Sequence, residues 1–352
     1  MKTKTINAII SKKINNWLDS IDDKDLVSKI KNDIIVTGGC ITSMLLNEPV
    51  NDFDVYFKTK ESLKLIAEYY ANKFNDKNKG KTNKINRPLH AWILDGEDVV
   101  KWKEGKISLS SFAYDYQDVK YADVSEWDNE HNSRVSGMIL NTNADRIKVM
   151  VNSDGIATDS DLVADDSEYD IDTYLDALGD GDNISDEEVE DADNKYSPVF
   201  LSTNAITLSN KIQIVVRFYG DIDKIHENYD FVHATNYWTY RTGTVLNQRA
   251  LESILSRELF YIGSKYPVCS LIRTRKFIKR GWQINAGQYV KIAFQISELD
   301  LKDIYVLEDQ LVGVDSIYFL QFIENLKNKQ ATDKNFVLNR DYLTTVIDKI
   351  FG

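Results

Sequence analysis

The stretch from Ile34 to Phe57, IIVTGGCITSMLLNEPVNDFDVYF, limits the possible folds of this chain more than any other. Ile34, Ile35 and Val36 form a short β-branched run that Gly38-Gly39 ends abruptly. Ile41, Met44 and Leu45 then recur at helical spacing. Beyond Asn47 to Asn51 the pattern alternates, with Asp52, Asp54 and Tyr56 on one side and Phe53, Val55 and Phe57 on the other. The order is therefore strand, tight glycine turn, short helix, loop, strand. Side chains along a strand repeat with a period of two, so both carboxylates face the same side of a sheet. Adjacent carboxylates repel unless a cation lies between them, which makes Asp52 and Asp54 a candidate Mg²⁺ site.

The neighbouring segments place this unit in an α/β context. Residues 5–32 predict two helices, the first with an apolar stripe of Ile6, Ile9, Ile10, Ile14 and Trp17, which reads as a packing element laid on the core. Lys60 to Phe74 predicts an amphipathic helix with Leu63, Ile66, Ala67 and Tyr70 inward, followed by a basic polar loop over 75–88. Residues 89–151 read as β-rich, with the runs HAWILD, VVKWK, KISLSSFAY, GMIL and RIKVMV separated by turn-forming residues. NKIQIVVRFYG reads as a strand, and the chain beyond Thr244 is predicted to be largely helical. One of these helices, LIRTRKFIKRGW, carries five cations and no acid over 273–280. Arg273, Lys276 and Arg280 recur at spacings of three and four and share a face, which is expected to bind an anion and to point at the Asp-bearing cleft.

Charge is distributed unevenly. Residues 154–193 hold 17 Asp and Glu and no Lys or Arg, which leaves the remainder with 38 acidic against 43 basic residues, a net charge of +5. The body is mildly basic and the acidity local. No segment of the acidic stretch matches an EF-hand loop, so it reads as a disordered or loosely helical insertion, with a mimic of nucleic-acid charge as the alternative. No apolar run reaches the length of a membrane span, the N-terminus shows no signal-peptide pattern, and the two cysteines give no disulfide framework. A cytoplasmic setting is the expectation.

Three motifs then carry a resemblance. GGCITSMLLNEPVNDFDVYF is similar to the Gly-Gly and Asp-x-Asp block of the polymerase-β nucleotidyltransferase superfamily. YDFVHATNY at 229–237 resembles a later segment that places Asp230 on the family's aspartate, and LIRTRKFIKRGW at 271–282 resembles the arginine-repeating neck motif. In this order they resemble the head and neck of class II CCA-adding enzymes and bacterial poly(A) polymerases, over about residues 34–75 and 206–285. Many large phage genomes encode proteins of this look, which points to a phage source and to the host cytoplasm or a virion. The resemblance implies an α/β (α+β) nucleotidyltransferase head with a mixed sheet, followed by a helical neck and C-terminal region. Its units would be N-terminal helices over 1–33, a head over 34–243 with an acidic insertion at about 152–195, and helices over 244–352.

It further implies template-independent transfer of a nucleotide from an NTP to an RNA 3′ end or another acceptor, supported by Mg²⁺ or Mn²⁺. Asp52 and Asp54 would hold the metal and, with Asp230, form the catalytic set. Gly38, Gly39, Thr42, Ser43, Arg273, Lys276 and Arg280 would contact the nucleotide or primer phosphates. Three departures accompany the likeness. The family's Arg-Asp pair after the glycines is Thr42-Ser43 here. Its base-reading set falls on Tyr266, Pro267 and Ser270, which argues against CCA addition. The strand expected to bring a third carboxylate carries Gln213 instead. The alternative is therefore a nucleotidyltransferase-fold protein with impaired catalysis that acts as a binding or structural component.

Overall fold

A computed structural model of the chain describes residues 1–82, 89–108, 142–151 and 196–303, with the backbone of 157–158 and isolated positions at 139, 306, 307, 310 and 344. The rest of the acidic stretch, most of KISLSSFAY and GMIL, and nearly all of the sequence after 303 lie outside the described residues.

Helices α1 (Thr3–Asp19) and α2 (Lys24–Ile30) open the chain, α2 beginning where the Asp23 carboxylate accepts from the Leu26 N–H. Strand β1 (Ile34–Thr37) leads through the glycine turn into α3 (Gly39–Leu46), and β2 (Phe53–Phe57) follows. Helix α4 (Lys60–Lys77) starts at the Thr59 cap and runs three residues past the predicted end, so the basic loop begins later than its composition suggests. Strand β3 (Ala91–Asp95) is followed by α5 (Gly96–Lys103), and β4 (Ile147–Val151) pairs antiparallel with β3. VVKWK, read as a strand, thus belongs to a helix. Its start and stop signals lie outside the apolar run: Asp95 caps the first turn, which holds Glu97 and Asp98, and the last turn holds Lys101 and Lys103.

The remaining strands are β5 (Ala157–Thr158), β6 (Pro198–Ser202), β7 (Ala205–Leu208) and β8 (Ile212–Tyr219), followed by the short helix α6 (Ile222–His226) and by β9 (Tyr237–Thr239) and β10 (Gly243–Val245). Helices α7 (Gln248–Ser256), α8 (Pro267–Lys279) and α9 (Ala286–Ser297) close the described chain. The main sheet has the order β10-β9-β1-β2-β8-β7-β6-β5. Its strands pair antiparallel except for β2 and β8, which run parallel, so the sheet is mixed and the protein is a mixed α/β structure.

The two faces of this sheet have different jobs. Phe53, Val55 and Phe57 of β2 and Ile212, Ile214 and Val216 of β8 pack with Ile6, Ile10, Ile14 and Trp17 of α1 and with Leu63, Ile66 and Tyr70 of α4. Ile9, which the stripe included, is displaced from that seam and is partly exposed. The Trp17 indole N–H donates to the Tyr70 hydroxyl at 2.8 Å inside the core, satisfying the one polar atom of each ring. The opposite face carries a smaller cluster of Ile35, Tyr56 and Ile225, edged by Val215, Tyr229 and Tyr237. A third cluster of Phe231, Ile254, Leu259, Tyr261, Trp282 and Ile292, with Leu45 and Leu46 of α3 against it, fastens the C-terminal helices to the sheet unit. Among the described residues no helix is long and apolar enough to cross a membrane.

Because Trp17 is fully buried where α1 packs with α4 against the sheet, Trp17→Ala should remove about 3–5 kcal/mol of stability. Chemical denaturation monitored by circular dichroism checks this, and a change near zero would make α1 a loosely attached arm.

Candidate functional site

The site is built on the second face of the sheet, at the ends of β1 and β2. Gly38 ends β1 at a φ of +103°, a conformation side chains avoid, and caps α3 without a side-chain partner. A Cβ placed on Gly38 would stand 2.6 Å from Asp54 Oδ2, so this glycine lets the carboxylate lie directly against the turn. A Cβ on Gly39 would meet nothing within 4 Å, and that residue is exposed. The first turn of α3 therefore presents open backbone beside the carboxylates, a surface suited to anionic oxygens.

Asp54 lies within β2 and Asp52 one residue before it, both half-buried. Burial and the neighbouring Asp52 charge hold the Asp54 carboxyl well above the usual carboxylate range, against the opposing pull of Lys276 and Arg273. Across the parallel ladder Asp54 pairs in register with Gln213, which places the amide where a third acid was expected. The Gln213 amide donates to Thr207 at 3.4 Å. Cys40 lies buried in the first turn of α3, its thiol raised by burial and by both aspartates.

A single segment, residues 229–237, joins the glycine turn to the cationic helix. The Gly38 N–H donates to the Ala234 carbonyl at 3.2 Å, the Thr37 hydroxyl to the Asn236 carbonyl at 2.9 Å, and the Thr42 hydroxyl to the His233 carbonyl at 2.8 Å. Thr42 is thereby placed differently from its expected role, because its buried hydroxyl holds the fold and is not offered to a nucleotide. Ser43, half-buried on the next position of α3, has the freer exposure. On the other side of the segment, Asp230 is buried and both its oxygens are engaged: Oδ1 accepts from Ser270 at 2.8 Å and Oδ2 from Arg273 at 2.6 Å. The structure thus gives Asp230 the task of holding α8 in place, a correction to the expectation that it completes the metal site.

Helix α8 carries the cations as the spacing required. Arg273 reaches Asp230, and Arg273 and Lys276 both act on Asp54, so their shared face is turned toward the carboxylates. Arg280 caps the end of the helix, its carbonyl accepting from Arg257 at 3.1 Å. Residues 266, 267 and 270 are buried, the Tyr266 ring lying under the Arg217 guanidinium at 3.8 Å. Sequence reasoning missed Tyr229, Tyr56 and the pair Thr37–His226. The Tyr56 and Tyr229 rings are 6.2 Å apart beside Asp54, and the Thr37 hydroxyl meets His226 Nε2 at 2.9 Å. Burial lowers the His226 and His233 imidazoles to about 4, so both are neutral at physiological pH. Tyr56 was legible from its place in the Asp52–Asp54–Tyr56 alternation. Tyr229 and His226 reach the site only through the return of α6 onto β1, which no local pattern encodes.

Among the described residues no group of three or more His, Cys, Asp or Glu could hold a metal ion. A closed cage is therefore absent there, but Mg²⁺ is commonly held by one or two carboxylates together with substrate phosphates. The Asp52–Asp54 pair beside an open glycine turn fits that second mode, with the Gln213 carbonyl oxygen as a neutral neighbour.

The geometry defines a mixed α/β protein with a carboxylate cleft faced by a cationic helix. A family model described as "Gabija anti-defense 2 family protein" matches residues 8–257, and the chain belongs to that family. The matched span includes the glycine turn, both aspartates and Asp230, and ends before α8. A curated relative, Gabija anti-defense 2 of Bacillus phage SPbetaL7, is 24% identical over 152 residues, covering 40% of this chain. The match spans 38% of that relative's length. No solved structure matches the chain.

Two outcomes follow from the local geometry. Gly38→Ala should cost about 1–3 kcal/mol, from the positive φ and the collision with Asp54, while Gly39→Ala should leave the thermal midpoint close to that of the parent. Equal midpoints for the two variants would show that the turn is not strained as described. Asp54→Asn should raise the midpoint of the metal-free protein at neutral pH. The folded state resists ionising Asp54 whereas the unfolded chain ionises it near about pH 3.9. Stability is therefore lost as pH rises from that value through the raised one, and the variant's advantage should vanish in acid. A pH series of thermal melts reads both the sign and the window.

Proposed function

We propose that this chain counteracts the Gabija phage defence, as the name of its phage relative states for that protein, and does so through a metal-dependent nucleotidyltransferase head working in the host cytoplasm. The carrying observation is one cleft in which the Asp52–Asp54 pair, the open turn at Gly39 and the α8 cations converge. A divalent ion, when bound, would neutralise triphosphate oxygens and favour loss of pyrophosphate.

In this reading Asp52 and Asp54 hold the ion, and the exposed first turn of α3 receives phosphate oxygens on its N–H groups. Ser43 stands close to that turn as a further donor. Lys276 faces the cleft as a mobile point charge, and Arg273, fixed by Asp230, contributes a planar donor in one orientation. The acceptor, an RNA 3′ end, another nucleic acid or a protein of the host defence, approaches from the side of the sheet bearing Tyr56. Positions 266, 267 and 270 are buried and the Ser270 hydroxyl is spent on Asp230, which supports transfer without CCA selection.

A second reading, a binding protein that keeps the fold without turnover, is favoured by one observation: Gln213 stands in register with Asp54 where an acid would complete the site. The two readings separate in one experiment. Purified protein is incubated with each labelled NTP, Mg²⁺ or Mn²⁺, and either total RNA or lysate from Gabija-bearing cells. Transfer by the parent and its loss in Asp54→Asn support the enzyme. No transfer, together with an Asp54→Asn variant that still protects phage in a Gabija-bearing host, establishes the binder. Arg273→Ala and Lys276→Ala should each weaken nucleotide binding and reduce its salt dependence.

A further inference from the structure

The Tyr229 hydroxyl is buried and, among the described residues, makes no hydrogen bond of good geometry, although its ring is well packed between Tyr56 and His226. The Tyr56 and Thr37 hydroxyls lie close enough to act on it but are misaligned, and Thr37 is committed to Asn236 and His226. A buried donor without an acceptor costs free energy, on the order of 1–3 kcal/mol, and such atoms in native proteins call for a specific reason. Here the Asp54 carboxylate lies on the same side of the glycine turn. A Cβ on Gly38 would stand 2.6 Å from Asp54 Oδ2 and 3.6 Å from the Tyr229 oxygen, so one small point above the turn is flanked by both. The donor without an acceptor and the carboxylate forced against its neighbour thus share a wall of the cleft.

The geometry points to Tyr229 as a positioning residue for Asp54: its hydroxyl is the donor that takes one carboxylate oxygen and aims the other at a divalent cation. This rests on the metal-site reading of the Asp52–Asp54 pair. A ligating carboxylate needs an outer partner that fixes its orientation, and removing such partners costs metal sites about 10–100-fold in affinity. Among the described residues the Asp54 carboxylate accepts no hydrogen bond, while Asp230, the carboxylate that braces α8, has two partners. Tyr229 would thereby supply to Asp54 what Ser270 and Arg273 supply to Asp230.

The test uses Tyr229→Phe, which removes one oxygen and keeps the packed ring, with Mn²⁺ and Mg²⁺ alone as probes in calorimetry and thermal melts in parallel. In the metal-free protein the hydroxyl makes no bond, so the midpoint should be unchanged or slightly higher. Metal affinity should fall by about tenfold or more. That combination is one a merely structural residue cannot give. Equal metal affinity in parent and variant overturns the proposal, and so does a midpoint lowered by many degrees with affinity intact. Asp54→Asn serves as the site control. If the parent binds neither ion, or if Asp54→Asn binds as well as the parent, the metal-site reading itself fails, an outcome distinct from failure of the Tyr229 role alone.

Discussion

The parallel pairing of β2 with β8 decides what every other element of the site can do. Phe53 pairs with Ile212 and Val55 with Ile214, which commits those side chains to the core beneath α1 and α4. The intervening Asp54 and Gln213 are thereby committed to the opposite face. A slip of one residue would bury the carboxylate among isoleucines and expose the apolar set, so the register is enforced by the full difference in burial between the two faces. The strands meet across a long sequence separation, so this arrangement is achieved late in the chain and through the core. Local turn chemistry does not set it.

Once the faces are fixed, the segment 229–237 turns a sheet edge into a cleft. Its carbonyls at 233, 234 and 236 accept from Thr42, Gly38 and Thr37, which fastens the glycine turn, and its Asp230 fastens α8. The same stretch of backbone therefore sets the distance between the glycine turn and the cations. Asp230 and Arg273 form a half-buried pair with ideal partners, and such a pair specifies orientation more than it adds stability. Breaking it would leave a buried carboxylate beside the already repulsive Asp52–Asp54 pair.

The central strand–turn–helix–strand was legible because each element is announced by residues inside it: the β-branched run, the two glycines, the apolar spacing and the alternation. The face shared by Arg273 and Lys276 was legible for the same reason. Helix α5 was not, because its evidence lies in flanking charges that a β-branched VVKWK run conceals. The tasks of Thr42 and Asp230 were not either, since a hydroxyl or carboxylate near a glycine turn looks equally available whether its partner is a ligand or a carbonyl 191 residues away. Asp230 sits in the cluster as the brace of α8, held by Ser270 and Arg273. Only partner geometry separates a ligand-binding group from the brace behind it.

Several local conflicts in this protein gather in one place. A glycine at positive φ, two adjacent carboxylates, a buried thiol raised by their charge and a hydroxyl without a well-aligned acceptor all surround the end of β1. Other polar groups of the sheet unit have their partners: Trp17 has Tyr70, Asp95 has Lys60 and Lys64, and Trp238 has Asn7. Sequences fold well when each level agrees with the next, and departures that persist are concentrated where function requires them. On the proposed reading, a cation with anionic oxygens attached would separate the carboxylates, give Tyr229 an oriented acceptor and occupy the open turn at Gly39. A purely structural account would have to explain why these costs, linked through Asp54, collect at one end of β1.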